Sequence, residues 1–240
     1  MVQRPSSERP RRARAVDRWI ALGALAVVAV VLATTAAFSH APLPEVDIRD
    51  PAAARDLVAL MRLGERGHWI ASYDFTRTLA DGRVLRERMS EGRSSTLHVV
   101  ITGSSMTIDR SNASYDCEIV GKRAGCERTG VGVTLPASEV LRVAVSLGAY
   151  NVVRLPDVTI AGLRARCFQV RGTGQGGLPE LGVETDLCLA KDGIALKTAV
   201  VHPPADVDEE VATSVQPRVT STAVDALAES FAPGTTGVPR

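Results

Sequence analysis

Two segments of the chain alternate between apolar and polar residues with the period of two that is typical of half-buried β-strands. The first has apolar residues at Trp69, Ala71, Tyr73, Phe75 and Leu79. The second has them at Leu97, Val99 and Ile101. We therefore predict strands over about 69–79 and 97–102, each with one apolar face turned towards a core.

Two other segments have apolar residues at the three- and four-residue spacing of an amphipathic helix. The first covers 51–65 and begins at Asp50-Pro51, because Asp caps helix N-termini and Pro suits the first turn. The second covers 136–147. Their apolar positions are Ala53, Leu57, Leu60, Met61 and Gly64 in the first helix, and Val140, Leu141, Ala144 and Leu147 in the second.

Short turns connect most of the remaining predicted elements. Asp81-Gly82 and Asp192-Gly193 are both typical of tight β-hairpin turns. Further strands are predicted at about 83–90, 106–108, 115–120, 152–160, 163–171, 183–190, 194–201 and within 209–221, with a short helix at 224–231. The acidic run Asp206–Glu210 is predicted to be a solvated loop. Consecutive strands joined by short turns form antiparallel sheets, so the fold class is α+β, with helices against one face of the sheet.

The N-terminal region has a different pattern. Trp19–Phe38 is a run of 20 uncharged residues, long enough for a helix to cross the hydrocarbon core of a bilayer. Residues 1–18 contain six arginines against two carboxylates, and such a basic arm stays on the cytoplasmic side. We therefore predict an uncleaved single-pass anchor in a bacterial cytoplasmic membrane, with the N-terminus in the cytoplasm. A cleaved signal peptide is the alternative.

This interpretation divides the chain into five parts. They are a basic cytoplasmic arm at 1–18, a transmembrane anchor at 19–38, a linker at 39–49, an extracytoplasmic α+β domain at 50–231 and a disordered tail at 232–240.

All four cysteines lie beyond the predicted anchor, and an even number of cysteines outside the cytoplasm favours disulfides. Four cysteines allow three pairings. We favour Cys117 with Cys126 and Cys167 with Cys188, because each pair flanks a short turn-rich stretch. The spacings contain no C-x2-C unit, which argues against a structural zinc site.

No motif indicates catalysis, a cofactor or a metal, so we expect a protein that is not an enzyme. Gly172, Gly174 and Gly177 formally match G-x-G-x-x-G, but a strand is predicted to follow where a dinucleotide site needs a helix. His98 lies on the polar face of its strand and is predicted to be solvated. The net charge of +1 gives no reason to expect a nucleic-acid partner.

The order of these elements resembles the lipoprotein-carrier fold of the LolA/LolB-like group. The resemblance rests on a helix at 50–65, the aromatic strand WIASYDF, the strand series LHVVITGSSMTIDR, a helix at 137–147 and a second strand series. It implies a strongly curved antiparallel sheet, a half barrel, with helices on its concave face over a hydrophobic cavity. Members of the group bind acyl chains or lipoproteins, or act as periplasmic sensors.

The resemblance leads to a hypothesis about function. We expect a non-catalytic, membrane-anchored envelope protein that binds a lipid, an acyl chain or a lipoprotein in an apolar cavity. The residues expected to line that cavity are Trp69, Ala71, Tyr73, Phe75, Leu97, Val99 and Ile101. The same residues also fit a filled core. The alternative function is an extracytoplasmic sensor or interaction module that docks another membrane protein, for which the exposed strands and Arg83, Arg86 and Arg88 are available.

Overall fold

Three helices and eleven strands form the part of the chain that the computed structural model describes, residues 51–110, 113–120, 123–131, 135–174 and 181–231. The helices are α1 (Pro51–Arg66), α2 (Ala137–Ser146) and α3 (Ser221–Phe231). The strands are β1 (Trp69–Thr78), β2 (Val84–Arg93), β3 (Leu97–Thr102), β4 (Ser105–Arg110), β5 (Ala113–Val120), β6 (Arg123–Val131), β7 (Tyr150–Ile160), β8 (Leu163–Gly172), β9 (Glu184–Ala190), β10 (Ala195–His202) and β11 (Asp206–Pro217).

Four predicted parts of the chain lie outside the described residues: the arm at 1–18, the anchor at 19–38, the linker at 39–49 and the tail at 232–240. Among the helices that are described, none combines the length and the apolar character needed to cross a membrane.

The strands form one antiparallel sheet in the order β6-β5-β4-β3-β2-β1-β11-β10-β9-β8-β7. Each strand pairs with its neighbour in sequence, except that β11 returns to pair with β1 and α2 separates β6 from β7. The chain therefore forms two meanders, which meet where β1 pairs with β11. The predicted α+β class and antiparallel sheet are confirmed.

The sheet curls at the end that carries β7. Three strands separate β7 from β11 in the sheet order, so in a flat sheet the two would lie about 19 Å apart, at about 4.8 Å per strand. Residues of β7 and β11 nevertheless come within 8 Å of each other. This curvature agrees with the half barrel that the sequence resemblance implies.

Helices α1 and α2 pack together against β7, β8 and β9, around buried Leu57, Leu141 and Phe168. Polar contacts join the two helices as well. The Arg62 guanidinium lies 2.5 Å from Glu139, and the Ser138 hydroxyl donates a hydrogen bond of 2.5 Å to Glu65. Helix α3 packs instead over β2 and β3, with Val224 and Ala228 in a separate buried cluster.

The acidic run Asp206–Glu210 is part of a strand, so the prediction of a solvated loop is wrong. These residues form the first half of β11 and pair with β1 on one side and β10 on the other. The Arg77 guanidinium binds both carboxylate oxygens of Asp208, at 2.6 and 2.5 Å. Cross-strand pairing with a basic neighbour therefore holds a highly charged segment in the sheet.

Candidate functional site

The first three predicted cavity residues are buried in packed protein. Trp69, Ala71 and Tyr73 are 5%, 1% and 1% exposed. They share one cluster with residues of the far strands of the curled sheet, and Phe75 packs against its edge. The far-strand members are Ala165, Cys167, Cys188, Ala190 and Leu196. Because the sheet curls, side chains of the far strands fill the space next to Trp69, Ala71 and Tyr73.

The other three predicted cavity residues lie on the opposite face of the sheet. Val99 pairs with Gly92, which pairs with Ile70, so Val99 shares a face with Ile70 and not with Ala71. Helix α3 covers this face, since a Cβ added to Gly92 would lie 2.9 Å from Leu227 and 3.2 Å from Val224. The expectation that all seven residues line one cavity is therefore wrong, because residues 97, 99 and 101 form a second core with α3.

An open groove lies at the rim of the curled sheet, beside Trp69. One chamber has a volume of about 340 Å³ and reaches from the loop between α1 and β1 to the end of β11. A second chamber of about 810 Å³ continues under the β7–β8 hairpin. Asp192, Pro217 and Arg218 line both chambers, so the two are parts of one groove.

The two chambers differ in chemistry. The smaller one is lined by Gly67, His68, Trp69, Ile194 and Val219 in addition to the shared residues. The larger one is lined by Asp157, Gly162, Leu163, Arg164, Arg166, Ala190 and Lys191 in addition to the shared residues. Arg164, Arg166 and Lys191 line only the larger chamber, so the basic side chains of the groove are concentrated at that end.

A glycine contact fixes the turn that carries Asp192. The turn between β9 and β10 closes with hydrogen bonds from Gly193 N to Ala190 O and from Ala190 N to Ile194 O, each 2.9 Å. A Cβ on Gly193 would lie 2.0 Å from the Leu60 carbonyl oxygen of α1. Only glycine allows this approach, so α1 holds the turn at the centre of the groove.

Trp69 is fixed from the same helix. Its indole Nε1 donates a hydrogen bond of 2.9 Å to the Gly64 carbonyl at the end of α1. The backbone N–H of Val219 donates to the His68 carbonyl at 3.1 Å, which ties the end of β11 to the start of β1. These two hydrogen bonds therefore hold Trp69 and Val219 in place in the wall of the smaller chamber.

Two features at the groove carry an energetic cost. The buried Oδ1 of Asp192 has no hydrogen-bond partner within the described residues. Arg218 has a φ of 63°, and such strain is concentrated at functional sites. Ala161, with a φ of 49°, forms with Gly162 the two-residue hairpin turn between β7 and β8, which itself requires positive φ.

The basic residues of the groove are only partly neutralised. Arg164 lies 3.1 Å from Asp157, and Arg166 lies 3.2 Å from Asp56 of α1. Neither Lys191 nor Arg218 forms an ion pair with any residue that the structure describes. These two exposed cations are available to an anion.

Asp157 is ionised in this setting. Burial opposes its ionisation, but hydrogen bonds and charges from Arg154 and Arg164 outweigh that effect and hold its pKa below the usual range. The carboxylate therefore orients Arg164 at the groove over the whole range of physiological pH.

A second polar cluster lies on the face of the sheet that carries Tyr73. The Tyr73 hydroxyl donates a hydrogen bond of 2.9 Å to the Ala195 carbonyl, and burial, with the charges of Glu91 and Glu210, raises the pKa of Tyr73. Burial, with the charges of Glu91 and Asp208, raises the pKa of Glu210 to about 7. No pattern in the sequence indicates this cluster, because its members come from three strands.

His98 belongs to the same region and is not solvated, contrary to the prediction. Its Nε2 lies 2.7 Å from Glu91 Oε1 and its Nδ1 lies 3.5 Å from Asp109. Burial tends to lower the pKa of His98, but the hydrogen bonds to Asp109 and Glu91 outweigh it and raise the pKa. The described residues contain no group of three or more ligands placed to hold a metal ion.

The predicted disulfides are confirmed. Cys117 bonds Cys126 across β5 and β6, and Cys167 bonds Cys188 across β8 and β9. Of the glycine motif, Gly172 ends β8, Gly174 follows it and Gly177 lies outside the described residues. No helix begins at Gly172 or Gly174, and β9 is the next described element.

No protein-family model matches the chain, and no curated protein is significantly similar to it. Solved structures with a similar fold exist. One is the MucA/MucB complex of Pseudomonas aeruginosa, with 12% identity and a TM-score of 0.49 over 70% of this chain. The match spans only 58% of that protein's chain.

Two further structures are similar at the level of the fold. An uncharacterised conserved protein from Thermus thermophilus matches with 11% identity and a TM-score of 0.44, over 72% of this chain and 92% of its own. A LolA superfamily protein from Nitrosomonas europaea matches with 9% identity and a TM-score of 0.34, over 72% of this chain and 97% of its own.

Proposed function

We propose that the chain is a non-catalytic, membrane-anchored envelope protein that binds an amphiphile with an anionic headgroup in the groove at the rim of the curled sheet. The observation that supports this most strongly is that the groove joins two chambers that differ in charge. The smaller chamber beside Trp69 and the basic chamber beside Lys191 meet at Asp192, Pro217 and Arg218.

The dimensions suit such a ligand. The volumes of about 340 and 810 Å³ lie within the roughly 300–1,000 Å³ that small-molecule sites occupy. In the smaller chamber, the half-buried Val219 offers apolar surface to an acyl chain, and the more deeply buried Trp69 and Ile194 complete the apolar wall. Burial of that chain from water supplies the non-directional part of the binding free energy.

The charges suit an anionic headgroup. Lys191 and Arg218 are exposed and unpaired within the described part of the chain, and both face the larger chamber. An arginine guanidinium and a lysine ammonium both bind phosphate oxygens, arginine in a bidentate way.

Membrane anchoring is part of the proposal. The uncharged run at 19–38 and the six arginines before it support an N-terminus in the cytoplasm and a domain outside. A tethered domain acts on lipids of the membrane that holds it. A reporter active only outside the cytoplasm, fused after residue 240, should be active, and an inactive fusion would contradict this topology.

The lipid itself is tested with the fluorescence of Trp69. The chain has two tryptophans, so Trp19→Phe leaves Trp69 as the sole emitter. The full chain is reconstituted in vesicles that contain phosphatidylglycerol with brominated acyl chains, because bromine quenches tryptophan on contact. We expect brominated phosphatidylglycerol to quench the fluorescence of Trp69. Phosphatidylcholine with the same brominated acyl chains should quench it more weakly.

The matched control is Trp69→Phe, which keeps Trp19 at the start of the anchor. Its emission should be quenched equally by both lipids, since both surround the anchor. If Trp69 is quenched by neither lipid while Trp19 is quenched by both, the groove does not take up acyl chains.

A further inference from the structure

The first half of β2 has one edge without a strand partner among the described residues. Strand β2 pairs with β1 along its whole length, from Val84 to Arg93. Its pairing with β3 starts only at Met89. Residues 84–88 are all exposed and form the outer edge of a ribbon of β11, β1 and β2 that extends past the end of β3.

A hydrogen bond in the hairpin turn shows which backbone groups of β2 point away from β1. Leu79 N donates to Arg83 O at 2.9 Å, so the carbonyl of Arg83 points towards β1. In an antiparallel pair this direction repeats every second residue, so Leu85 and Glu87 also point their backbone groups at β1. The N–H and C=O groups of Val84, Arg86 and Arg88 therefore point away from β1, along the open edge.

The side chains of these three residues share one face of the ribbon. Arg86 and Arg88 form no ion pair with any described residue, although Asp74 lies opposite Arg88 on β1. Val84, between them and the turn, is 47% exposed. The open edge thus combines unpaired backbone groups with two available cations.

We propose that this edge of β2 binds an extended acidic peptide segment of another protein, which adds to the sheet as an antiparallel strand. Residues opposite Val84, Arg86 and Arg88 would place their side chains on the same face as the arginines. Acidic residues at every second position of the partner would therefore meet Arg86 and Arg88, while its backbone completes the ladder.

The same charges disfavour the simplest competing occupant, a second copy of this chain paired about Arg86. If two β2 edges paired about Arg86, the two Arg86 side chains would lie directly opposite each other. Like charges in that position are destabilising, and charged side chains are a common protection against edge-to-edge association. An acidic strand replaces this repulsion with attraction, and a neutral strand gains no such attraction.

The test uses fluorescent nine-residue peptides and the full chain in a neutral detergent. The first peptide alternates Glu and Thr, and the second has the same composition with all Glu at one end. In antiparallel pairing, the amides of the Glu residues point at β2 and those of the Thr residues point to solvent. Two further peptides are N-methylated, one at the Glu amides and one at the Thr amides.

Binding is followed by fluorescence anisotropy. We expect the alternating peptide and its Thr-methylated form to bind alike, and the Glu-methylated and grouped peptides to bind about tenfold more weakly or not at all. The variant Arg86→Glu/Arg88→Glu should lower affinity for the alternating peptide about tenfold, since two exposed ion pairs are lost. Arg55→Glu, at an exposed position on α1, is the control and should bind as the original chain does.

The outcomes separate strand addition from general electrostatic attraction. Equal binding of the two methylated peptides would show that the backbone edge is not used and would overturn the proposal. Loss of binding in Arg55→Glu as large as that in the double variant would overturn it as well. Unchanged thermal unfolding of Arg86→Glu/Arg88→Glu establishes that its weaker binding is not a folding defect.

Discussion

Two hairpin turns in this protein share the sequence Asp-Gly and nearly the same geometry, yet they serve different regions. Gly82 has a φ of 84° and Gly193 a φ of 83°. Gly82 N donates to Leu79 O at 2.8 Å, and Gly193 N donates to Ala190 O at 2.9 Å. The first turn ends the exposed ribbon, whereas the second is pressed against α1 at the centre of the groove.

The surroundings of the two glycines show the difference. A Cβ on Gly82 would meet nothing within 4 Å, but a Cβ on Gly193 would meet the Leu60 carbonyl oxygen at 2.0 Å and Gly64 N at 2.3 Å. Local sequence therefore specifies the shape of both turns. Tertiary packing makes one of them a wall of the groove and leaves the other exposed.

The largest expected effect comes from Gly193→Ala. The added methyl group must displace α1 or the turn, and alanine is strained at positive φ. We expect the free energy of unfolding to fall by about 4 kcal/mol, measured by urea denaturation of the purified chain. A fall below about 1 kcal/mol would show that α1 does not hold this turn.

Removal of the disulfide beside the packed turn should have the next largest effect. Cys167→Ala/Cys188→Ala opens a loop of 21 residues and should cost about 3 kcal/mol. Cys117→Ala/Cys126→Ala opens a loop of nine residues and should cost about 0.7 kcal/mol less by the chain-entropy model. Urea denaturation ranks the two variants, and the reverse order would contradict the expectation.

We expect the stability of the folded protein to depend on pH because of Glu210, which lies on β11 opposite Phe75 of β1. The pKa of Glu210 is raised to about 7, so the folded protein binds a proton that the unfolded chain releases near pH 4.5. Stability should therefore fall between about pH 4.5 and pH 7, by on the order of 2–3 kcal/mol. His98, whose pKa is also raised, adds to the loss as pH rises.

The variant Glu210→Gln isolates this contribution, because glutamine keeps the shape and cannot ionise. The midpoint of thermal unfolding, measured from pH 5 to pH 8, should decline less steeply in the variant than in the original chain. Parallel pH profiles for the two proteins would rule out Glu210 as the titrating group.

The smallest effect is expected from Gly82→Ala, the counterpart of the first variant. Its Cβ enters open space, so only the strain of positive φ remains, about 1 kcal/mol. Urea denaturation should therefore separate Gly82→Ala from Gly193→Ala by about 3 kcal/mol. Equal losses in the two variants would mean that the contact with α1 has no energetic consequence.

The sequence was sufficient wherever the signal is local. The helix at Pro51–Arg66 follows from its amphipathic spacing, both turns follow from Asp-Gly, and the cysteine pairs follow from the turns that they flank. Each of these features depends on residues close together in the chain, so the pattern and the structure coincide.

The sequence was insufficient wherever distant strands combine. Alternation shows that Ala71 and Val99 each have an apolar face, but only the register through Gly92 shows that those faces are opposite. Likewise Arg164 of β8 and Arg218 meet in one groove because the sheet curls. The acidic run at 206–210 resembles a loop in isolation, and its pairing with β1 makes it a strand.

The most direct test of the central claim is the headgroup preference of the groove. Quenching of Trp69 is compared for brominated phosphatidylglycerol and phosphatidylcholine, in Trp19→Phe and in the same chain with Lys191→Glu and Arg218→Glu added. We predict about a tenfold preference for phosphatidylglycerol, which the two charge reversals abolish while quenching by phosphatidylcholine persists. Equal quenching by both lipids in the Trp19→Phe chain, or a preference that survives the reversals, would contradict the assignment of this groove to anionic amphiphiles.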